Sequence, residues 1–356
     1  MPEQPELRDQ IMAVLKRGMT PLSDDAFNSL ALRVFNFQFE NIGPYRKFCE
    51  RRLANIGDVT RWQDIPAVPT AAFKEAALVA GDATGAEAVF RTSGTTRGTE
   101  KRGAHYVADL QLYRASLLPP FREYVLADRE RMPMLALVPA AHESRDSSLS
   151  YMVSAVVEAL GSDDSIFAIA PAGIQLEKIV VWMDDMIARR EPVCILGTSL
   201  AFVHLFERLE SAQKSFALPP GSRIMDTGGF KGSERAISAA ELRGLYTTLL
   251  GVPAANVINE YGMTEMLSQF YDAGGVKRGP PWVRTMVVDP DSLRELPHGE
   301  TGLLRHVDLA NVFSVSAIQT EDVGRMAADG FELLGRIAGS APRGCSIAMD
   351  IFLSAS

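Results

Sequence analysis

The sequence predicts an α/β fold built largely on parallel strands, with a smaller β-rich unit toward its C-terminal end. Three observations carry that prediction. From about residue 88, short apolar runs alternate with longer segments of helical spacing. Upstream of them the first 60 residues read as helical throughout. After Gly274 the chain becomes richer in Gly, Pro and short β-like runs.

Taken in order, Asp24 to Glu40 places Phe27, Leu30, Val34 and Phe37 on one buried helical face, the spacing of core packing. Buried strands are expected at Ala88–Arg91, Met134–Pro139, Ile166–Ile169, Val193–Leu196, Arg223–Asp226 and Val257–Asn259. Helices are expected at Val107–Tyr124, Leu149–Leu160, Ile174–Arg189, Ser199–Leu209 and Ala239–Leu250. Ser238 and Glu241 have the spacing of a capping box, and Gly251 supplies the stop. Beyond Gly274, Val283–Val288, Gly302–Val307 and Phe313–Ile318 read as strands of a unit spanning about 275–340. Residues 1–340 are then one layered α/β domain, and 341–356 a tail or short hairpin.

Composition narrows the function. The 356 residues are 47% hydrophobic and 22% charged, as in a globular protein with a large core. A net charge of −8 lacks the broad positive field of a nucleic-acid binder, although a local basic pocket for a phosphorylated small molecule is allowed. No apolar run reaches the roughly 18 residues of a membrane span, and the N-terminus has no signal-peptide pattern. Three cysteines, Cys49, Cys194 and Cys345, make no disulfide framework, so a reducing, cytoplasmic setting is expected. Cys49 and Cys194 lie in apolar-periodic segments and read as core residues.

Three segments carry chemistry. Arg91-Thr-Ser-Gly-Thr-Thr-Arg-Gly-Thr-Glu-Lys101 follows a strand with a loop of Gly and hydroxyl residues closed by a lysine. Backbone amides, hydroxyls and an ammonium group are what phosphate oxygens require. No Walker loop occurs. Asn259-Glu-Tyr-Gly-Met-Thr-Glu265 ends a strand, where α/β sheets bind ligands. It offers a flat ring in Tyr261, a phosphate donor in Thr264 and an oxygen ligand for Mg²⁺ in Glu265. Thr320-Glu-Asp322 and Gly335-Arg336 pair a carboxylate that can bind both ribose hydroxyls with a guanidinium.

These segments, in this order, resemble the adenylate-forming superfamily of acyl-CoA ligases, luciferases and peptide-synthetase adenylation domains. Ser93-Gly-Thr-Thr with Lys101 looks like its phosphate loop, and Tyr261-Gly-Met-Thr-Glu265 like its Tyr-Gly-x-Thr-Glu motif. Gly299-Glu-Thr-Gly302 looks like its Gly-Glu-x-Gly turn. The superfamily adds a C-terminal domain that carries a catalytic lysine, whereas here 20 residues follow Arg336 and none is Lys. The chain therefore resembles the short branch, the LuxE-type acyl-protein synthetases of bacterial fatty-acid reductase systems. Leu137-Val-Pro-Ala, Ser147-Ser-Leu, Thr227-Gly-Gly-Phe-Lys231 and Arg343-Gly-Cys-Ser346 support that branch.

The resemblance implies an adenylate-forming fold and an enzyme that uses ATP and Mg²⁺ to activate a carboxylic acid, a fatty acid by family. The acyl group would pass to Cys345, with Arg343 lowering its pKa, and then to a partner reductase or carrier protein. Ser93, Gly94, Thr95, Thr96 and Lys101 would hold the phosphates, Thr264 the α-phosphate and Glu265 the metal. Tyr261, Gly262 and the Gly228–Gly229 backbone would frame the adenine, and Asp322 with Arg336 the ribose. Lys231 is a candidate stand-in for the absent lysine, and His142 and Ser148 are candidates for the acid pocket. Two alternatives stand beside this: direct transfer to coenzyme A or a carrier thiol, and a non-catalytic nucleotide-binding subunit. Gly197-Thr-Ser199-Leu-Ala201 is close to a hydrolase elbow, but its last Gly is replaced by Ala and nothing else supports a hydrolase, so a helix cap at Thr198 or Ser199 is the better explanation. The five histidines show no ligand spacing, which argues against zinc.

Overall fold

A computed structural model describes residues 3–92, 101–228, 237–272, 274–337 and 343–355. The chain forms two compact units: Met1–Pro119 with Met263–Gln269 and Gly275–Ser356, and Pro120–Gly262 with Phe270–Gly274.

The first unit opens with helices α1 (Glu3–Lys16), α2 (Asp24–Asn41) and α3 (Gly43–Arg52). The Ser23 hydroxyl caps α2 by accepting from the Ala26 amide. Phe27 and Val34 are buried as expected, and Phe35 stacks edge-on against Tyr45 of α3. A two-residue strand β1 (Val68–Pro69) follows, then the antiparallel pair β2 (Ala88–Arg91) and β3 (Ala104–Val107), then α4 (Leu110–Phe121).

The second unit is a parallel αβ layer. Strand β4 (Met134–Leu137) leads to α5 (Ser148–Leu160), β5 (Ile166–Phe167) and the small hairpin β6 (Ile169–Ala170) with β7 (Gly173–Ile174). Helix α6 (Leu176–Arg189), β8 (Cys194–Thr198), α7 (Ser199–Ser211), β9 (Arg223–Thr227), α8 (Ala239–Leu250), β10 (Val257–Tyr261) and β11 (Phe270–Asp272) complete it. The sheet order is β11-β10-β9-β8-β4-β5, parallel except at the β10–β11 edge. Phe202, Phe206 and Tyr246 mesh edge-to-face beneath it, with centroids 5.0 and 5.5 Å apart. The capping box at Ser238 and Glu241 forms, and Gly251 ends α8 in the left-handed conformation. Thr198 caps α7, so the near-hydrolase elbow is a helix start.

The chain then returns to the first unit. Strands β12 (Val276–Lys277), β13 (Val283–Val288), β14 (Thr301–Asp308), β15 (Ala317–Ala327) and β16 (Gly330–Arg336) build an antiparallel sheet, to which β1 adds in parallel. The strand expected at Phe313–Ile318 starts instead at Ala317. Residues 311–316 form a buried turn whose backbone bonds go to a side chain of α2. The Gln38 amide donates to the Asn311 and Val312 carbonyls, and its oxygen accepts from the Ser316 amide and hydroxyl.

The segment read as a tail or hairpin is a helix, α9 (Arg343–Ala355). Cys345, Ala348 and Phe352 recur at three and four residues and are buried, with Phe352 against Phe48 of α3 at 6.0 Å. Its Gly and Ser content hides that stripe.

Candidate active site

Within the first unit, the charges of Arg336, Asp322 and Lys74 act on Glu265. Asp322 on β15 sits opposite Arg336 on β16, and the guanidinium lies 3.9 Å from Asp322 and 2.9 Å from Glu321. A bulge aligns them: Val323 pairs with Gly335 but Gly324 with Leu333, and Gly335 takes φ +137°, a backbone that favours glycine. Arg336 is exposed, so it can move to a ligand at little cost.

Glu265 is buried, and burial pushes its carboxyl up to about 7; Arg336 and Lys74 pull it down and Asp322 pushes it up. Among the described residues none forms an ion pair with it. A buried carboxylate short of positive charge is chemically suited to Mg²⁺, which takes one or two protein carboxylates and fills its shell with phosphates and water. Among the described residues no group of three or more His, Cys, Asp or Glu could hold an ion without such help.

The backbone around Glu265 is held from below. His105 of β3 lies against the Thr264 carbonyl at 2.6 Å, and Asn311 donates to the Glu265 carbonyl at 3.0 Å. Asp308 accepts from the Leu267 amide and the Ser268 hydroxyl. Lys101 is exposed and 3.6 Å from Glu75. Ser93, Gly94, Thr95 and Thr96 lie outside the described residues.

Cys345 is 5% exposed and packs with Met286, Val288, Leu293 and Leu303. Burial pushes its thiol up to about 11 with help from Glu321, while Arg305 and Arg52 pull the other way. This corrects the expectation that Arg343 activates it: the nearby guanidiniums belong to β14 and α3, and desolvation outweighs them. Cys49 and Cys194 are buried, each pushed up to about 12 by burial.

Within the second unit, the remaining candidates cluster at the carboxyl ends of parallel strands. Gly228 follows β9 with φ +78°, and Tyr261 closes β10, tilted on Phe270 at 5.9 Å. Below them Tyr246 donates to Asp226, and Asn259 donates to the same carboxylate at 2.6 Å. His142 is exposed in the turn after β4, and Ser148 is half-buried at the start of α5. Gly229 and Lys231 lie outside the described residues. Sequence reading missed Lys74, His105, Asp308 and Asn311, for which no local pattern exists; each reaches Glu265 or its loop only through the fold.

The fold defines the class. It is similar to that of 2-hydroxyisobutyryl-CoA ligase, solved in an open conformation with 2-HIB-AMP and CoA, at TM-score 0.67 and 17% identity, covering 92% of this chain and 79% of that one. It is also similar to ATP-bound MatB from Rhodopseudomonas palustris, at TM-score 0.51 and 19% identity, over 72% of this chain and 49% of that one. This is the architecture of the adenylate-forming ligases. Within it, the chain belongs to the LuxE acyl-protein synthetase family, whose profile matches residues 21–353. A curated relative, the long-chain-fatty-acid–luciferin-component ligase of Vibrio harveyi, is 24% identical over 329 residues, 89% of this chain and 85% of the relative. Among the described residues no helix is long and apolar enough to cross a membrane.

Proposed function

We propose that this AMP-forming ligase activates a long-chain fatty acid and passes the acyl group through Cys345 to a partner protein. The observation that carries the reading is the convergence of Glu265, Asp322 and Arg336 in a chain of this family. The substrate carboxylate attacks the α-phosphorus of ATP, a P–O bond forms, and pyrophosphate leaves with the electron pair of the broken bond. The chain's part is positioning and charge neutralisation. Thr264 binds the α-phosphate, Lys101 and the loop of Ser93, Thr95 and Thr96 the leaving phosphates, and Asp322 and Arg336 the ribose. Tyr261 with Gly228 and Gly229 frames the adenine. Glu265 would hold Mg²⁺, which supplies charge neutralisation to the phosphates. His142 and Ser148 line the acid pocket, and Lys231 supplies the catalytic lysine.

In the second step the Cys345 thiolate attacks the acyl carbonyl, a thioester forms, and AMP leaves; the thiol proton has gone to solvent. Transfer to the acceptor protein's thiol or hydroxyl regenerates Cys345. One observation favours a second reading: Cys345 is buried in the resting fold, as an ordinary core residue would be if coenzyme A or a carrier thiol took the acyl group directly. Intact-protein mass spectrometry with ATP, Mg²⁺ and fatty acids of graded length separates the two. One acyl mass that is lost in Cys345→Ala supports the first reading. Pyrophosphate release that persists in Cys345→Ala, with acyl transfer to added coenzyme A, supports the second.

A further inference from the structure

His105 has an unusual pair of neighbours. It is 1% exposed, and its ring edges toward Phe73 at 5.8 Å. Its Nδ1 lies 2.6 Å from the Thr264 carbonyl and its Nε2 lies 3.1 Å from Asn311 Oδ1. The orientation of Asn311 is not free. Its two amide hydrogens go to the Glu265 and Val315 carbonyls at 3.0 and 2.9 Å, and carbonyls only accept. Its Oδ1 must therefore face His105. The Asn311 carbonyl is anchored in turn by Gln38 at 2.8 Å.

A buried polar network is commonly no more than a satisfied core. This one is specific in where it ends. Two of the bonds that His105 and Asn311 make take the consecutive carbonyls of Thr264 and Glu265. Fixing both carbonyls fixes the peptide planes on either side of the Glu265 Cα, and with them the direction in which that side chain leaves the backbone. The Thr264 and Glu265 side chains would meet the α-phosphate and the metal. Burial pulls the His105 ring down to about 4. The short contact to the Thr264 carbonyl, which can only accept, requires a hydrogen on Nδ1.

We infer that His105 and Asn311 are positioning residues for adenylation, which clamp the Thr264–Glu265 peptide so that its side chains receive MgATP. The inference rests on the proposed function and adds to it two residues outside the recognised motifs.

The test compares His105→Asn with His105→Gln. Asparagine places its amide donor where Nδ1 stands and keeps the bond to Thr264; glutamine reaches the Nε2 position and loses it. Both remove the ring, so a purely structural role affects them alike. MgATP affinity is measured by calorimetry, and adenylation by pyrophosphate release. The clamp predicts MgATP binding within about threefold of wild type for His105→Asn and weakened on the order of tenfold or more for His105→Gln, with a parallel loss of adenylation. Equal affinities in the two variants, or the reverse order, would overturn it. Should either variant fail to fold, Asn311→Ser provides the second measurement, because it removes the amide donors to Glu265 and Val315 and leaves only a small cavity. Unchanged MgATP affinity in that folded variant would also overturn the inference. A wild-type chain that binds no MgATP overturns the parent reading as well, which distinguishes the two failures.

Discussion

Cys345 gives the sharpest physical prediction, because the proposed acceptor is buried where its thiol reacts slowly. Gly344 seats it: the Gly344 amide donates to the Pro290 carbonyl at 2.9 Å. A Cβ added there would fall 2.6 Å from that oxygen, 2.8 Å from Leu293 Cγ and 2.9 Å from the Asp291 carbonyl. Two of those atoms are backbone, so Gly344→Ala must shift the 290–291 turn and the first turn of α9 apart. In the wild type a thiol that ionises near pH 11 rather than near 9 carries roughly a hundredfold less thiolate at pH 8, before any shielding from reagent. Iodoacetamide should therefore modify resting Cys345 at least about a hundredfold more slowly than a free thiol. Its rate should rise about tenfold per pH unit up to pH 10 or so. Gly344→Ala should recover at least about tenfold of that rate while the far-ultraviolet circular dichroism keeps its shape. The assay is alkylation followed by peptide mass spectrometry, which separates Cys345 from the more deeply buried Cys49 and Cys194. A wild-type rate equal to that of a free thiol, or a Gly344→Ala rate unchanged from wild type, would refute the reasoning.

Other expectations follow from the same coordinates. Arg336→Ala should raise the KM for ATP about tenfold yet move the thermal midpoint by no more than about 2 °C, because its ion pairs are exposed and such pairs contribute little stability. A midpoint loss without a change in KM would mark Arg336 as structural. The Mg²⁺ requirement should steepen as pH falls below 7, where Glu265 takes up a proton; Glu265→Gln should abolish that steepening, and a pH-independent Mg²⁺ titration in the wild type would contradict the assignment. Acid stability should show a shoulder. His105 and His306 are held down to about 4 and about 3. The unfolded chain therefore protonates them first, and stability falls as pH drops below about 6.5. Glu265 and Asp308 are held up at about 7 and about 6. The folded chain protonates them first, and stability rises as pH drops from about 7 toward their ordinary range. The two effects oppose each other between about pH 6.5 and 4.5. Urea unfolding should give a nearly constant free energy there and a steep loss below about 4; a steady decline from pH 6.5 would show that one pair dominates.

Most strands of the parallel layer in the second unit were readable, although the one expected at Ile166–Ile169 is split between β5 and the β6–β7 hairpin. Strands buried on both faces, such as Met134–Leu137 and Cys194–Thr198, must be apolar over most of their length, and that pattern survives without knowledge of neighbours. Caps were readable for the same reason: Ser238 with Glu241, and Thr198, act within four residues of themselves. The turn at residues 311–316 was not, because Gln38, 278 residues away from Ser316, satisfies its backbone and removes the need for a ladder. Helix α9 was misread as a tail because its apolar stripe is three residues wide and its value depends on α3 and β1 lying opposite.

The sequence by itself determined the α/β class, the order of the adenylate-forming motifs and the types of residue proposed to meet phosphate, ribose and metal, since each of these depends on contacts within a few residues or on chemistry that a side chain carries anywhere. Only the tertiary structure decided that Glu265 is buried and raised to about 7, that Cys345 lies on the buried face of α9, and that His105 and Asn311 bond to the Thr264 and Glu265 carbonyls from 159 and 46 residues away. Desolvation and long-range hydrogen bonding are properties of what surrounds a residue, and the chain fixes those surroundings only when it folds.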